Sequence, residues 1–207
     1  MTLTARTVYA LVRFSLELAQ DSTNLEQILQ SSLTAALAHA IDDAGLSGTA
    51  KDSAGAPTGI YNAAGRGTVL NVGAPDSYDF LADGLYTLEM ANVPLESVGA
   101  FISHPRLRMK LRTGITGDNT PLQAPAEIAR LRRLFTTANP IVGANTTKGV
   151  LGMWSDYYMG VRQQIQVRLL DQAFMGSNPQ FALLAFARCD FVATRPASFC
   201  TIEGITV

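Results

Sequence analysis

Residues 23–45, TNLEQILQSSLTAALAHAIDDAG, decide the fold. Apolar side chains recur from Leu25 onward at steps of three and four residues, which is the period of an amphipathic helix. Thr23 and Glu26 stand at the spacing of a capping box, and Gly45 is a typical helix end. At a rise of about 1.5 Å per residue, the sequence predicts one continuous helix roughly 30 Å long.

Extended segments flank this helix on both sides in the chain. Residues 6–14, RTVYALVRF, are rich in β-branched and aromatic side chains and predict a strand, and residues 15–22 predict a short helical turn. Polar and apolar residues alternate over 164–169, with Ile165, Val167 and Leu169 on one face. A second extended run covers 181–194. The two late runs predict a long antiparallel hairpin.

The middle of the chain alternates short elements with loops that are rich in glycine and proline. The expected elements are a loop over 46–77, a helix over 78–88 that Asp76 and Ser77 can cap, a strand over 98–102, a helix that Ser103 caps, a helix over 126–134 and a turn over 143–149. An early strand and long helix, an inserted mixed region and a late hairpin favour an α+β fold with two interleaved subdomains.

The composition excludes several classes of protein. The 207 residues carry 16 Lys+Arg and 17 Asp+Glu, a formal net charge of -1, whereas a dedicated nucleic-acid binder has a strong basic excess. Charged residues make up only 16% of the chain, which fits either a compact, well-buried fold or a surface reserved for partner subunits. No signal peptide is recognisable, and the longest apolar run, 181–187, is far too short for a membrane span. We expect a soluble protein made in a cytoplasm.

Residues with catalytic or metal-binding chemistry are few and scattered. Cys189 and Cys200 do not form a CxxC pattern, which indicates two structural thiols in a reducing compartment. His39 and His104 have no second histidine or cysteine at ligand spacing, so we expect packed or solvated structural roles.

Two further patterns also lack the features that chemistry would need. The side chains of Asp42 and Asp43 are expected to diverge at a helix end, which disfavours a catalytic dyad. Residues 143–149, GANTTKG, lack the glycine before lysine and the hydroxyl residue after it that a phosphate-binding loop requires. We therefore predict no catalytic, cofactor-binding or metal-binding residues.

One electrostatic feature is a candidate functional surface. Seven cations cluster on the third and fourth predicted helices: Arg106, Arg108, Lys110, Arg112, Arg130, Arg132 and Arg133. They form either a solvated face or an assembly interface that pairs with an acidic patch on a neighbouring subunit, because charges across an interface fix register and partner choice. Nucleic-acid binding is less favoured, since no aromatic residues interleave with the arginines in the sequence.

Together these segments resemble the major capsid proteins of tailed bacteriophages, the Hong Kong 97-like phage capsid fold. The similar motifs are SLEL at 15–18 with Asp21-Ser22 before the long helix, Gly48 with PTGI at 57–60 after it, FISHP at 101–105, GMWSDYYMG at 152–160, and ARCD at 187–190 with RPASF at 195–199. Their order extends over nearly all of the chain. Met153 stands where the family pattern has an acid.

The resemblance implies a domain division and a mechanical role. Residues 1–60 and 162–193 would form the peripheral P-domain, with the spine helix and the long hairpin, and residues 61–161 and 194–207 the axial A-domain. The chain would be a non-enzymatic subunit that assembles with itself into hexamers and pentamers of an icosahedral phage or prophage capsid around DNA. Its further partners would be virion proteins such as portal and scaffold, and it would bind no specific nucleic-acid sequence and no membrane.

The resemblance also implies the virion as the location, with assembly in the bacterial host cytoplasm. The family's N-terminal arm and extended loop lie upstream of the first strand, and no residues before Arg6 could supply them, so we expect weak or absent shell assembly by these residues alone. Some members join a lysine to an asparagine with the help of a glutamate. Asn178 lies near the expected asparagine, but Phe186 or Ala187 stands where the glutamate belongs, so we expect no cross-link.

Two alternative functions remain open at this level. An encapsulin, a shell subunit of the same fold that encloses cargo enzymes, differs by its neighbouring genes. A small enzyme with an unrecognised site would show a deep pocket lined by convergent polar groups.

Overall fold

The computed structural model describes residues 3–21, 24–48, 57–114, 122–143, 145–171 and 180–207. Its strands and helices follow one another as β1 (Arg6–Ser15), α1 (Leu16–Asp21), α2 (Leu25–Ser47), β2 (Gly67–Val69), α3 (Asp79–Met90), β3 (Ala100–Ser103), α4 (Pro105–Thr113), α5 (Ala126–Arg130), β4 (Arg133–Phe135), β5 (Ile141–Val142), β6 (Thr146–Gly152), β7 (Tyr157–Leu170), β8 (Gln180–Ala193) and β9 (Phe199–Thr206). This mixture of helix and sheet confirms the predicted α+β class.

The long helix and the extended runs pack together as two layers. Strands β1, β8 and β7 make an antiparallel sheet in that order. The 23 residues of α2 run as one uninterrupted helix, as predicted, and pack Leu33, Leu37 and Ile41 onto Leu183 and Ala185 of β8. Every second residue from Leu183 to Cys189 of β8 is buried under α2, because side chains of a strand point to opposite faces in turn.

A second sheet occupies the rest of the chain. Within the described residues its strand order is β2-β9-β6-β3-β4, and β5 pairs with β6. Helices α3, α4 and α5 cover one face through a core that includes Leu81, Leu107 and Ile128. A third cluster on Ile60, Phe199 and neighbouring residues fills the space between this sheet and the end of α2. Of the helices in the described ranges, none has the length and apolar content that crossing a bilayer requires.

Both ends of α2 differ from the prediction in detail. The helix begins at Leu25 with Asn24 before it, while Thr23 of the predicted capping box lies outside the described residues. The helix does not end at Gly45 but continues to Ser47. A Cβ on Gly45 would lie 3.1 Å from the Phe191 ring, so this glycine permits close packing and does not terminate the helix.

Three short elements were predicted wrongly because their partners, not their own sequences, define them. Residues 126–134 were expected to be one helix, but α5 stops at Arg130 and β4 follows, since β4 pairs in parallel with β3. The 46–77 loop contains β2, which pairs with β9. The turn over 143–149 becomes β6 from Thr146 onward, in the middle of the second sheet.

Smaller corrections concern starts and caps. The strand expected at 98–102 is Ala100–Ser103. The cap of α4 is His104, whose Nδ1 accepts the backbone N–H of Arg106 at 3.2 Å. Ser103 is instead fully buried and donates to the Lys148 carbonyl at 3.0 Å. The short helical turn at 15–22 is confirmed as α1, with Ser15 Oγ accepting from the Leu18 N–H.

Two glycines allow two backbone segments to approach closely where the chain leaves α2. The Gly59 N–H donates to the Gly48 carbonyl at 2.7 Å. A Cβ on Gly59 would lie 2.6 Å from the backbone of Leu46, and one on Gly48 would lie 2.4 Å from the Pro57 carbonyl oxygen. The glycines of the motif Gly48…Pro57-Thr58-Gly59 are therefore required by close backbone approach, not by an unusual φ angle.

The contact between α2 and β8 can be tested by truncating one buried leucine. Leu37→Ala removes a fully buried side chain and should lower the free energy of unfolding by about 2–5 kcal/mol. Ile28→Ala on the same helix, where the side chain is 60% exposed, should change it by less than about 0.5 kcal/mol. Urea unfolding followed by circular dichroism measures both. Equal losses for the two variants would contradict the packing described.

The glycine contact is tested by Gly59→Ala. The added methyl group meets rigid backbone, so we expect a loss of about 1–3 kcal/mol of unfolding free energy. Gly99→Ala is the matched control, because its Cβ would meet only Trp154 at an ordinary 3.5 Å. The melting temperatures of the two variants should differ clearly, and an unchanged melting temperature for Gly59→Ala would refute the close approach.

Candidate assembly surface

Three of the seven predicted cations converge on one groove. Helix α4 presents Arg108 and Arg112 one turn apart, and β4 presents Arg133 beside them. The groove between them has a volume of about 660 Å³ and is lined by residues of α4 and β4 together with Tyr78 and Leu122. The spacing of four residues in the helix and the return of the chain through β4 thus create a concentrated positive charge.

A separate cleft has a volume of about 390 Å³. That second cleft lies where Asp190 and Tyr157 of the three-stranded sheet meet Pro57 and Pro196. The Asp190 carboxylate there accepts the backbone N–H groups of Thr4 at 2.6 Å and of Phe191 at 2.9 Å. Its carboxylate is thus occupied in holding the start of β1 against β8.

The arginines of the groove are held by aromatic rings. The Arg108 guanidinium carbon lies 5.6 Å from the centre of the Phe135 ring, and that of Arg133 lies 5.8 Å from the Tyr78 ring. Arg133 also donates to the Tyr78 hydroxyl at 3.5 Å. Such cation–π contacts orient a guanidinium group without neutralising its charge. Within the described part of the chain, no carboxylate lies within ion-pair distance of Arg108, Arg112 or Arg133.

The floor of the groove is apolar and its outer wall is a sheet edge. Leu111, Leu122, Leu134 and Phe135 line it between the arginines. Strand β4 pairs with β3 on one side only among the described residues, so backbone groups at its other edge are open to a partner. The groove therefore combines positive charge, apolar surface and an open strand edge.

The other four predicted cations do not line this groove. Arg130 lies beside Glu96 and Glu127 in a depression between α3 and α5. Neither the groove nor this depression is lined by Arg106, Lys110 or Arg132. Helical geometry explains the division of α4, because residues two apart point to different sides of a helix.

Aromatic residues are absent between the arginines along the sequence but lie beside them in the fold. Tyr78 and Phe135 do lie beside arginines of the groove, although neither is near them in sequence. Tyr78 is only 9% exposed and Phe135 is half-buried, so neither ring offers an open face on which a base could stack.

A second exposed surface follows β7. Helix α2 covers β1 and β8, but side chains of β7 on the same side of the sheet stay exposed, among them Val161 at 52%, Ile165 at 42% and Leu169 at 56%. Leu169 pairs with Leu183 and Val167 with Ala185, which places both on the face toward α2, as the alternation predicted. Contiguous apolar surface of this kind is typical of protein contacts.

Structural contacts surround both histidines and Asp43. His39 Nε2 lies 3.2 Å from Thr137 Oγ1, and His104 caps α4. Partial burial and the neighbouring Arg106 lower the pKa of His104. Asp43 accepts a hydrogen bond from Ser47 Oγ at 2.5 Å. Among the residues that the structure describes, no group of three His, Cys, Asp or Glu side chains could hold a metal ion.

Both cysteines are free and fully buried, in different cores. Cys189 belongs to the cluster under α2, and Cys200 belongs to the core of the second sheet. Burial raises the pKa of the Cys200 thiol to about 11 and also raises the pKa of Cys189. The predicted structural role of both thiols agrees with these surroundings.

The cross-link prediction concerns Asn178, Phe186 and Ala187. Asn178 lies outside the described residues. Arg168 lies over the ring of Phe186 at 5.4 Å, and Ala187 is buried under α2. The absence of a cross-link stays a prediction.

Comparison with known proteins identifies relatives by sequence pattern and by fold. A family model described as the phage capsid family matches residues 1–204. A search of curated proteins finds no match. Among solved structures, one from Gordonia phage Cozz is 19% identical with a TM-score of 0.77, over 97% of this chain and 70% of that chain. The capsid of a native GTA particle is 18% identical with a TM-score of 0.75, over 100% of this chain and 74% of that chain.

The buried thiols provide a test of these surroundings. At pH 8, a thiol of pKa about 11 is ionised in only about one molecule in a thousand, and the thiolate is the reactive form. We expect Ellman's reagent to modify neither Cys189 nor Cys200 rapidly in the native protein, and both after unfolding in guanidinium chloride. Free cysteine in the same buffer is the control. Rapid modification of one thiol in the folded protein would contradict its burial.

Proposed function

Because the chain belongs to the phage capsid family, we propose that its copies associate into hexamers and pentamers that build an icosahedral shell around DNA. Family membership makes the chain a structural capsid subunit and not an enzyme. The proposal concerns the size of the rings and the DNA inside the shell. Rings form when a head-to-tail contact repeats with a rotation that closes.

The observation that carries this proposal is the two-part architecture. One unit is a long helix on a three-stranded sheet, and the other is a sheet covered by three helices. We assign residues 1–60 and 162–193 to a peripheral P-domain, and residues 61–161 and 194–207 to an axial A-domain. In support, α2, β1 and β8 lie in the first set, while β2 to β6 and β9 lie in the second. Strand β7 begins at Tyr157 and so extends across the boundary between them.

The exposed surfaces favour contacts with further copies. The exposed side chains of Ile165, Val167 and Leu169 lie on the proposed P-domain. So does the outer edge of β1, which has no second strand partner among the described residues. The basic groove lies on the proposed A-domain. A subunit in a shell needs several such surfaces, because contacts that are weak singly become stable when many form together.

The proposed location and partners follow from the same role. The subunit would assemble in the cytoplasm of a bacterial host and become part of the virion, where portal and scaffold proteins would contact it. Of the seven predicted cations, Arg108, Arg112 and Arg133 would contribute to the assembly contacts, because these three line the groove.

The proposal is tested on particles from cells that produce the chain together with its neighbouring genes. After gradient sedimentation, we expect the chain to be the most abundant protein of a fast-sedimenting particle. Electron microscopy should show fivefold and sixfold rings, and DNA inside should resist nuclease until the shell is disrupted. Particles that contain an enzyme and no DNA would instead support the encapsulin alternative. A chain found only as a slowly sedimenting species under these conditions would contradict a shell role.

A further inference from the structure

The outer face of α3 is acidic and partly apolar. Its large exposed side chains are Asp79, Asp83, Tyr86, Glu89 and Met90, at spacings that place them on one side of the helix. Tyr86 is 62% exposed and Met90 is 68% exposed. The helix contains no lysine or arginine. This surface, the α3 face, therefore presents two large apolar side chains among carboxylates.

The α3 face extends away from the basic groove, across the same sheet. Helix α3 starts near the groove at Tyr78 and crosses toward β2, where a Cβ on Gly67 would lie 2.7 Å from the Thr87 methyl group. Strand β2 and strand β4 are the two ends of the strand order. Since α3 is fixed to the sheet by buried Leu81 and Leu88, its outer face cannot turn into the groove of the same molecule.

The two surfaces are complementary in charge and in apolar content. The groove offers Arg108, Arg112 and Arg133 over an apolar floor. The α3 face offers carboxylates next to Tyr86 and Met90. Arginine and carboxylate groups form strong, oriented hydrogen-bonded pairs, and exposed aromatic and methionine side chains are enriched in interfaces.

We propose that the α3 face of one copy docks in the basic groove of the next copy, so that one repeated head-to-tail contact joins neighbouring subunits. The inference rests on the proposed function and names the surfaces that would build its rings. The partner is a second copy of this chain, because the chain itself carries both halves of the contact. Attraction between the charges should weaken as salt rises.

Charge reversal tests both halves separately. The groove variant is Arg108→Glu with Arg112→Glu, and the face variant is Asp83→Lys with Glu89→Lys. All four side chains are exposed, so the folds should survive, which circular dichroism checks. Lys110→Glu is the matched control on α4, since Lys110 does not line the groove. We expect each paired variant to lower the yield of rings on the order of tenfold, and the control to leave it unchanged.

Combining the variants gives a sharper result. One chain with all four reversals should regain rings, because both surfaces change sign together. A mixture of the groove variant and the face variant should form only alternating rings, which need an even number of subunits. Hexamers should then appear in native mass spectrometry while pentamers stay absent. The proposed pairing would be overturned if the groove variant, the face variant, the chain with all four reversals and the mixture all lost rings to the same extent.

Disulfide trapping detects the same contact when it is too short-lived to form stable rings. Tyr86→Cys mixed with Arg112→Cys should give a cross-linked dimer on mild oxidation, and the native thiols are buried. Ile28→Cys replaces Tyr86→Cys as the exposed control on α2, and it should give on the order of tenfold less dimer. Equal trapping with the control, or none at all, would refute the docking.

The outcomes separate this inference from the proposed function. Normal shells from both charge-reversed variants would refute the docking and leave the capsid role intact. A failure of the wild-type chain to enter particles would count against the capsid role itself. Loss of enclosed DNA from the groove variant alone, with normal rings, would show that the groove binds nucleic acid and would overturn the pairing.

Discussion

Tyr157 connects the two sheets and the long helix at a single point. Its hydroxyl donates to the Gly45 carbonyl at 2.5 Å, and its ring stacks on Phe191 at 5.8 Å. Phe199 and Trp154 meet the same ring edge-on at 6.0 Å. Burial raises the pKa of Tyr157, so the hydroxyl stays protonated and remains a donor. The orientation of α2 relative to the second sheet depends on this junction.

A buried polar network supports the junction from the other side. Tyr61 donates to Asn139, whose Nδ2 donates to Thr147 Oγ1 at 3.2 Å and to the Lys148 carbonyl at 2.5 Å. Glu203 then pairs with Lys148 at 3.1 Å and with Arg66 at 3.5 Å. Buried polar groups are costly unless all are satisfied, so such a network favours one arrangement over its alternatives. A fixed angle between the two units is what a regular curved assembly needs.

The sequence predicted the parts of the fold whose patterns are long and local. The helical period of α2 and the extended apolar run of β8 each cover many residues, and both elements were placed correctly. Strands β2 and β4 have three residues each, and only pairing with distant strands makes them extended. The groove could be predicted in part, because Arg108 and Arg112 are four residues apart on one helix. Arg133 comes close to them only because β4 pairs with β3. The α3 face was missed, although no cation occurs anywhere between Asp76 and Glu96.

The net charge of -1 conceals a strong separation of charge along the chain. Five carboxylates and no cations occupy residues 76–96, whereas the seven cations of the basic surface lie within residues 106–133. Molecules with opposite charges on different parts of one rigid unit attract each other head to tail, and such a contact repeats until a ring closes or a filament grows. Which of the two occurs depends on the rotation between neighbours, and that rotation is set by the rigidity of the unit. The packing around Tyr157 and the network at Asn139 would therefore set the geometry of the proposed assembly, although neither lies on the proposed contact surface.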